Sequence, residues 1–152
     1  MKDGLLVRFL EPGDRAEWDV LWKRYNAFYG REGPTALPPE RNEITWKRCL
    51  DPKEPMYALV AVKNGKAVGL AHYLFHQSTS RPDICYLQDL YTLPTERGRG
   101  VGRALIERIY AEAKARGSNR VYWHTHQTNE AGRKLYDKVG EHGGFIVYTK
   151  EL

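Results

Sequence analysis

The stretch ERGRGVGRAL, residues 96–105, constrains the possible folds most strongly, because it joins a predicted strand directly to a predicted helix. The strand is ICYLQDLYTL, residues 84–93, and the helix covers residues 100–117 and ends at a glycine. RVYWHTH, residues 120–126, predicts the next strand. One stripe of the helix is apolar and consists of Val101, Leu105, Ile109 and Ala113. A strand, a helix and a second strand in this order predict a β-α-β crossover at the centre of a sheet.

The rest of the chain predicts further strands and helices but no second domain. Asn64-Gly65 lies between two apolar runs and is the strongest short-range signal for a hairpin of antiparallel strands. The further elements are strands at 5–10, 56–63, 66–76 and 145–152 (FIVYTKEL), and helices at 14–28, at 40–50 and from the cap Asn129 to Val139. This order predicts an α+β fold with a mixed, mostly antiparallel sheet, and a single domain over residues 1–152.

The composition is that of an ordinary soluble protein and excludes several classes. Of the 152 residues, 41% are hydrophobic and 28% are charged, which suffices for one buried core without disulfides or a structural metal. No apolar run approaches the roughly 20 residues that span a bilayer, and the first residues do not resemble a signal peptide. Cys49 and Cys85 have no ligand spacing, which is typical of a reducing compartment. We therefore expect a cytoplasmic protein without a membrane partner.

The glycine-rich stretch has the chemistry of an anion site. The formal net charge of +5 favours anionic partners, and the sharpest cluster of positive charge lies here. The first N–H groups of a helix lack intrahelical partners, and glycines let a bulky anion approach them closely. The residues concerned are Gly98, Gly100 and Gly102, with Arg97, Arg99 and Arg103 around them. Taken alone, the stretch also fits a flexible basic turn before an ordinary helix.

Two common phosphate motifs do not match this stretch. A P-loop needs Gly-Lys-Ser/Thr, which the chain lacks, and the dinucleotide fingerprint would need a glycine where Arg103 stands. The pattern that does match is R-x-x-G-x-G, formed by Arg97, Gly100 and Gly102. It resembles the pyrophosphate-binding signature of the GNAT acetyltransferase superfamily, which binds acetyl-coenzyme A.

The flanking segments extend this resemblance. YLQDLYTLP resembles the family's central strand, which bears a bulge, and YWHTHQTNEAGRKLYDKVG resembles the strand and helix that follow the phosphate site. The patterns W-x-x-Y-x-x-F-Y, from Trp22 to Tyr29, and N-x-x-x-x-x-L-Y, from Asn129 to Tyr136, are most similar to the polyamine- and histone-type acetyltransferases. The resemblance implies the GNAT fold, with helices on both faces of the sheet. It also implies acetyl transfer from acetyl-coenzyme A to a primary amine by direct attack in a ternary complex.

The resemblance further implies which residues bind acetyl-coenzyme A. In the family, the central strand and the strand after the helix splay apart, and the pantetheine arm fills the gap. Backbone groups of Leu90, Tyr91 and Thr92 would bond to pantetheine, and one N–H would polarise the thioester carbonyl. The pyrophosphate would bind at Arg97, Gly98, Arg99, Gly100, Val101, Gly102 and Arg103. Asn129 would either contact pantetheine or cap the last helix, for which asparagine is among the best residues.

Tyr136 is the expected general acid, and its alternative role is that of a core tyrosine. A phenol with a pKa near ~10 can donate a proton or a hydrogen bond to the coenzyme A thiolate, whose thiol titrates near ~8.5. The base is less well defined, because polyamine-type relatives have Glu-Asp where this chain has Gln88-Asp89. Gln88 cannot ionise, which leaves Asp89 or a water relay and weakens the case for a polyamine substrate. Strand alternation places residues 88 and 89 on opposite faces.

The sequence leaves the acceptor open. In the family the first two helices wall the acceptor site, so Tyr25 and Tyr29, which otherwise belong to the core, are expected to line it together with Gln88. Polyamines, aminoglycosides, amino acids, small arylalkylamines and protein lysines all remain candidate acceptors. FIVYTKEL would lie near a sheet edge, which is a natural surface for pairing with a second copy, so we expect a homodimer.

Other functions find less support in the residues. His124 and His126 share a strand face, but no third ligand has a suitable spacing, so we expect no metal. The basic charge would suit a nucleic-acid-binding module, but no RNA-binding or zinc-finger pattern accompanies it, so we expect no nucleic acid partner. A non-catalytic acyl-coenzyme A sensor on the same fold is favoured by Gln88 and disfavoured by Tyr136.

Overall fold

The sheet contains five strands in the order in which they occur along the chain. The computed structural model describes residues 4–152. The strands are β1 (Leu5–Phe9), β2 (Met56–Lys63), β3 (Lys66–His76), β4 (Ile84–Thr92) and β5 (Val121–Tyr122). Strands β1 to β4 are antiparallel neighbours, whereas β5 is parallel to β4. The predicted mixed, mostly antiparallel sheet is therefore confirmed.

The described α-helices cover both faces of the sheet. They are α1 (Arg15–Phe28), α2 (Pro39–Leu50), α3 (Val101–Ala115) and α4 (Glu130–Val139). Helices α1 and α2 pack on one face, while α3 packs on the other and connects β4 to β5 as the predicted crossover. None of these helices is long and apolar enough to cross a membrane.

Two hydrophobic clusters hold the helices on the sheet. The predicted apolar stripe of α3 is buried, and Leu105 and Ile109 pack with Tyr73 of β3. On the other face, Trp18 and Trp22 of α1 stack with ring centroids 5.7 Å apart and pack on β3. Burial of one large apolar side chain stabilises a fold by about 1.5–3 kcal/mol, so both helices are fixed firmly relative to the central strands.

A β-bulge interrupts β4 at Gln88. Leu87 pairs with Tyr73 and Asp89 pairs with His72, so Gln88 has no partner on β3. This one extra residue on β4 has no counterpart on β3, and it reverses the alternation of the strand. Leu87 consequently packs beneath α3, whereas Asp89 turns to the face covered by α1. Simple alternation, which places residues 88 and 89 on opposite faces, does not describe this part of the strand.

Strands β4 and β5 separate after two residue pairs. Cys85 pairs with Val121 and Tyr86 with Tyr122, and within residues 4–152 no strand continues this pairing. The strand predicted over residues 120–126 is thus much shorter in the structure. The edge of β4 that faces β5 is open from Leu87 onward, which produces the gap between the two strands that the resemblance implies.

The prediction of a final strand in FIVYTKEL is wrong. No strand follows Val139 in the described part of the chain, and Phe145, Ile146, Val147 and Tyr148 are between 64% and 90% exposed. Strong β-propensity does not form a strand without a neighbour to accept and donate its backbone hydrogen bonds. The segment after α4 therefore presents unpaired apolar side chains to solvent.

Candidate active site

The glycine-rich loop leads from the end of β4 into the first turn of α3. Gly98 and Gly100 have φ angles of 75° and 87°, a region that side chains other than glycine rarely adopt. Gly100 is the N-cap of α3, and no side chain caps the helix there. The first intrahelical bond runs from the Ala104 N–H to the Gly100 carbonyl, so the N–H groups of the preceding turn are available to an anion.

Gly102 serves a different purpose, which is close packing. A Cβ atom at this position would lie 3.2 Å from the Cδ2 atom of Leu135 on α4. At Gly98 and Gly100, by contrast, a Cβ atom would meet nothing within 4 Å. The open side of the loop thus lies at its first two glycines, and the third brings α3 and α4 together.

The three arginines of the loop have different surroundings. The Nε atom of Arg97 donates to the Thr92 carbonyl at 3.2 Å, and its guanidinium lies over the Tyr91 ring at 5.7 Å. Arg103 forms an exposed ion pair with Glu107 at 2.9 Å. Arg99 has no ion pair with any residue that the structure describes. All three side chains are exposed to solvent. We therefore expect them to change conformation when an anion binds at the loop.

A narrow cavity of about 20 Å³ lies where β4 and β5 separate. Its walls are formed by Tyr25, Tyr29, Leu87, Gln88, Leu90, Trp123, His124 and Tyr136. The ring of Tyr136 packs edge-on against Trp123, with centroids 5.5 Å apart. The structure thus brings together five predicted site residues from β4, α1 and α4 around one small space.

The Tyr136 hydroxyl has no hydrogen-bond partner among the described residues, and its raised pKa keeps it protonated at neutral pH. Burial raises the pKa of Tyr136 to about 12, with a smaller contribution from Tyr29. No hydrogen bond links its hydroxyl to any described residue, so the proton is free to be donated to a ligand. A half-buried phenol in this state is a hydrogen-bond donor across the physiological pH range.

Asp89 is held by a buried hydrogen-bonded chain that begins in α1. The indole Nε1 of Trp18 lies 3.1 Å from Nε2 of His72, and Nδ1 of His72 lies 2.9 Å from Oδ2 of Asp89. Burial lowers the pKa of His72, the bond to Asp89 raises it, and the net direction is upward. An indole N–H can only donate, however, so Nε2 must accept from Trp18, which opposes protonation. We therefore assign the imidazole proton to Nδ1, from which it is donated to Asp89.

Tyr25 and Tyr29 line the narrow cavity and are influenced by the charge of Asp89. Burial raises the pKa of Tyr25 well above its usual range, and the charge of Asp89 and a hydrogen bond to it act in the same direction. Burial and the Asp89 charge also raise the pKa of Tyr29. Tyr25 is at once a core residue and a neighbour of Asp89, so its two predicted roles are compatible.

A second, much larger pocket opens on the other side of Gln88. It measures about 520 Å³, within the usual range for a small-molecule site, and lies between α1, α2 and the middle of β4. Its walls are Trp22, Asn26, Arg31, Leu37, Arg41, Thr45, Arg48, Met56, Gln88 and Asp89. Gln88 is common to both pockets and lies where the two spaces meet, while Asp89 lines only the larger pocket.

Asn129 acts as the cap of α4 in this structure. Its Oδ1 accepts from the Gly132 N–H at 3.2 Å, and its Nδ2 donates to Oγ1 of Thr125 at 2.9 Å. His124 and His126 contact tyrosines instead of each other, since Nδ1 of His124 lies 3.2 Å from the Tyr86 hydroxyl. No group of three His, Cys, Asp or Glu residues suited to a metal occurs among the described residues.

Several site residues were not predicted. Trp18 and His72 are 54 positions apart in sequence, and nothing in the local pattern of either segment indicates their hydrogen bond. Arg31, Arg41 and Arg48 are scattered over a loop and a helix, and only the packing of α1 and α2 brings them to one pocket. For Arg41 and Arg48, spacing on one face of α2 was the only available signal.

Comparisons with known proteins agree with this geometry. The model of the Acetyltransferase (GNAT) family matches residues 18–140. The chain is 35% identical over 153 residues to D-amino-acid N-acetyltransferase HPA3 of Saccharomyces cerevisiae, covering 99% of this chain and 92% of that protein. It is 30% identical to the thialysine N-epsilon-acetyltransferase of Bos taurus over 73 residues, 48% of this chain and 43% of that protein.

The fold is also found among solved structures. AAC(6')-Iy in complex with a bisubstrate analogue of coenzyme A superimposes with a TM-score of 0.83, covering 97% of this chain and 98% of that one. The sequence identity is 17%, so this likeness concerns the fold. The family match over residues 18–140 and the 35% identity to an N-acetyltransferase show that the protein belongs to the GNAT family and is an N-acetyltransferase.

Proposed function

We propose that the protein transfers an acetyl group from acetyl-coenzyme A to the primary amine of a small molecule, by direct attack of the amine in a ternary complex. The observation that carries this proposal is the meeting of two pockets at Gln88, with Asp89 in the wall of one and Tyr136 in the wall of the other. Aminolysis of a thioester requires such a pair, because one proton leaves the nitrogen and one reaches the sulfur.

The gap between β4 and β5 supports binding of the coenzyme A arm. The open edge of β4 offers backbone groups of Leu90, Tyr91 and Thr92 to a ligand that lies alongside it. The pyrophosphate would bind at the loop Gly98–Arg103, where the first turn of α3 has free N–H groups and the first two glycines leave open space. The cofactor supplies the activated acetyl group, and these residues orient it.

Asp89 is the proposed base. An alkyl amine with a pKa near ~10.4 is almost fully protonated at pH 7, so a proton must be removed before or during attack. As the C–N bond forms, the nitrogen becomes a much stronger acid, and a carboxylate can then accept its proton. Asp89 is the only carboxylate among the described residues that line the large pocket, and His72 fixes its orientation.

Tyr136 is the proposed acid. As the C–S bond breaks, its hydroxyl donates a hydrogen bond to the sulfur, which leaves as the thiolate and takes up a proton. Because burial raises the pKa of Tyr136 to about 12, the phenol is a weaker acid than the thiol, so it donates a hydrogen bond to the departing thiolate and keeps its own proton. The proton that the thiolate takes up comes from solvent, to which Asp89 returns the proton of the amine.

A panel of acceptors tests the proposal. We would measure thiol release from acetyl-coenzyme A with D- and L-amino acids, thialysine, polyamines, an aminoglycoside and lysine peptides. We expect turnover with a small amine and a loss of about 100-fold or more in kcat for Tyr136→Phe and Asp89→Asn. Tyr122→Phe is the matched control, because its hydroxyl bonds to His76 and lies outside both pockets. Coenzyme A binding without turnover on any acceptor would contradict the proposal.

We also propose that two copies associate through the segment that follows α4. The exposed apolar side chains of Phe145–Tyr148 support this, because such a run is rarely left in water. Light scattering of the full chain should give the mass of a dimer, and removal of residues 145–152 should give a monomer. A full-length monomer at micromolar concentration would exclude the association.

A further inference from the structure

We propose that the large pocket contains a carboxylate-binding subsite formed by Arg31, Arg41 and Arg48, with Arg31 as its principal member. The acceptor would then be an amine that also carries a carboxylate, which is the chemistry of an amino acid. This inference rests on the proposed function, because it concerns the acceptor pocket of that reaction.

The lining of the large pocket has an excess of positive charge. Three arginines and one carboxylate line it, among the residues that the structure describes. Within residues 4–152 none of the three arginines has an ion-pair partner, whereas Arg8, Arg15 and Arg108 each have one. An open pocket with an excess of positive charge in its lining favours an acceptor that carries a negative group.

Arg31 is held in place by other residues. Its Nε donates to Oδ1 of Asn26 at 2.6 Å, and Nδ2 of Asn26 donates to the Trp22 carbonyl at 2.8 Å. Asn26 is only 4% exposed, so this anchor is part of the core. The guanidinium also lies over the rings of Tyr25 and Tyr29, at 5.8 and 5.5 Å. The terminal nitrogens have no hydrogen bond to the described residues, so they can bind a carboxylate with two parallel bonds.

Arg31 is also connected to the proposed base. Its guanidinium lies over the ring of Tyr25, and the charge of Asp89 acts on the Tyr25 hydroxyl. The amine and the carboxylate of an amino acid are joined through one carbon atom, so their two binding groups must be close neighbours. The ring of Tyr25 lies between Arg31 and the charge of Asp89, whereas Arg41 and Arg48 belong to α2 and add to the positive field of the pocket.

The same charges disfavour multiply cationic acceptors. A polyamine or an aminoglycoside brings several positive charges into a space lined by three arginines. Its only carboxylate partner in the described wall would be Asp89, because the neighbouring residue is the neutral Gln88. Like charges in a partly enclosed site repel, so the pocket selects against such molecules.

Matched acceptors test this subsite. We would compare kcat/KM for phenylalanine, phenylalaninamide and phenethylamine, with both enantiomers of the first two. We expect the acid to exceed the amide by about 10- to 100-fold, the range for a charge-assisted hydrogen-bonded pair. Arg31→Gln should reduce this ratio to near one, and Arg31→Lys should give an intermediate ratio because the forked geometry is lost. The ratio is insensitive to a general loss of folding or activity, which affects both acceptors alike.

Arg24→Gln on the exposed side of α1 is the control and should keep the wild-type ratio. Equal rates for acid and amide in the wild type would overturn the subsite and leave the acetyl transfer intact. An unchanged ratio in Arg31→Gln would overturn the role of Arg31. Absence of turnover with every amine would instead overturn the proposed function, and the subsite with it.

Discussion

The Nδ1 atom of His72 lies 2.9 Å from Oδ2 of Asp89, directly behind the bulge at Gln88. His72 is fully buried, and its other nitrogen is occupied by Trp18. The imidazole therefore has one orientation, and it holds the Asp89 carboxylate in the wall of the large pocket. Trp18 of α1 is thus linked to the proposed base through two hydrogen bonds and does not itself line either pocket.

Replacement of His72 should weaken catalysis more than binding of acetyl-coenzyme A. His72→Phe removes the donor to Asp89, and a misplaced catalytic group commonly costs about 10- to 100-fold in rate. We expect a kcat lower by about 10-fold or more, an unchanged KM for acetyl-coenzyme A, and an unfolding free energy lower by about 1–3 kcal/mol from the unsatisfied Trp18 and Asp89 groups. Steady-state kinetics and urea unfolding measure these quantities.

His76→Phe is the control for this experiment. His76 lies on the same strand and bonds to Tyr122, outside both pockets. The kcat of His76→Phe should stay within about 2-fold of the wild-type value. A wild-type kcat in folded His72→Phe would show that Asp89 does not depend on its buried partner.

Local chemistry explains what could be predicted from the sequence. The Asn64-Gly65 turn has φ angles of 51° and 77°, as its residue types require, and the glycine-rich loop likewise has left-handed glycines at 98 and 100. In both cases the residues that determine the conformation are adjacent in the chain. The order of elements and the position of the phosphate-type loop follow from such local signals.

The parts that could not be predicted depend on distant residues. The Trp18–His72–Asp89 chain joins α1, β3 and β4, and the bulge at Gln88 depends on the register between two strands. FIVYTKEL has the composition of a strand but finds no neighbour within the described chain. Pairing partners, unlike propensities, are properties of the whole fold.

The dependence of kcat/KM on pH in the alkaline range should show that Tyr136 keeps its proton. A group that must be protonated stops working above its pKa, so a pKa raised to about 12 moves this loss to very alkaline pH. We expect kcat/KM to show no decline between pH 8 and 10, and Tyr136→Phe to lower the whole profile by about 100-fold. A descending limb near pH 9 that disappears in Tyr136→Phe would show instead that the tyrosine titrates in its ordinary range.

Substitution of Asn129 should separate capping from cofactor binding. Both polar atoms of its amide are used within the protein, so we expect the cap to be its main role. Asn129→Ala should lower the unfolding free energy by about 1 kcal/mol, whereas serine, which caps equally well, should preserve it. The KM for acetyl-coenzyme A of Asn129→Ser should stay within about 3-fold of the wild type. A large increase in this KM with unchanged stability would assign Asn129 to the pantetheine site.

The ion pair between Arg8 and Asp14 should make stability depend on acid pH. The two guanidinium nitrogens of Arg8 bond to the two carboxylate oxygens of Asp14 at 2.8 and 2.9 Å, and Asp14 is nearly buried. The hydrogen bond from Arg8 lowers the pKa of Asp14 below its ordinary value of 3.8, so the carboxylate stabilises the fold above that pH. This contribution is lost as the pH falls through the lowered pKa, because Asp14 then becomes protonated.

Asp14→Asn should accordingly lower the unfolding free energy by about 1.5–3 kcal/mol at pH 7, with a difference from wild type that shrinks below pH 4. Asp19→Asn is the matched control, because the Arg15–Asp19 pair is exposed on both sides and such pairs contribute little. Denaturant unfolding at several pH values measures both variants. A difference between wild type and Asp14→Asn that stays constant down to pH 2 would mean that the carboxylate charge does not contribute, and that only the shape of the side chain matters at this position.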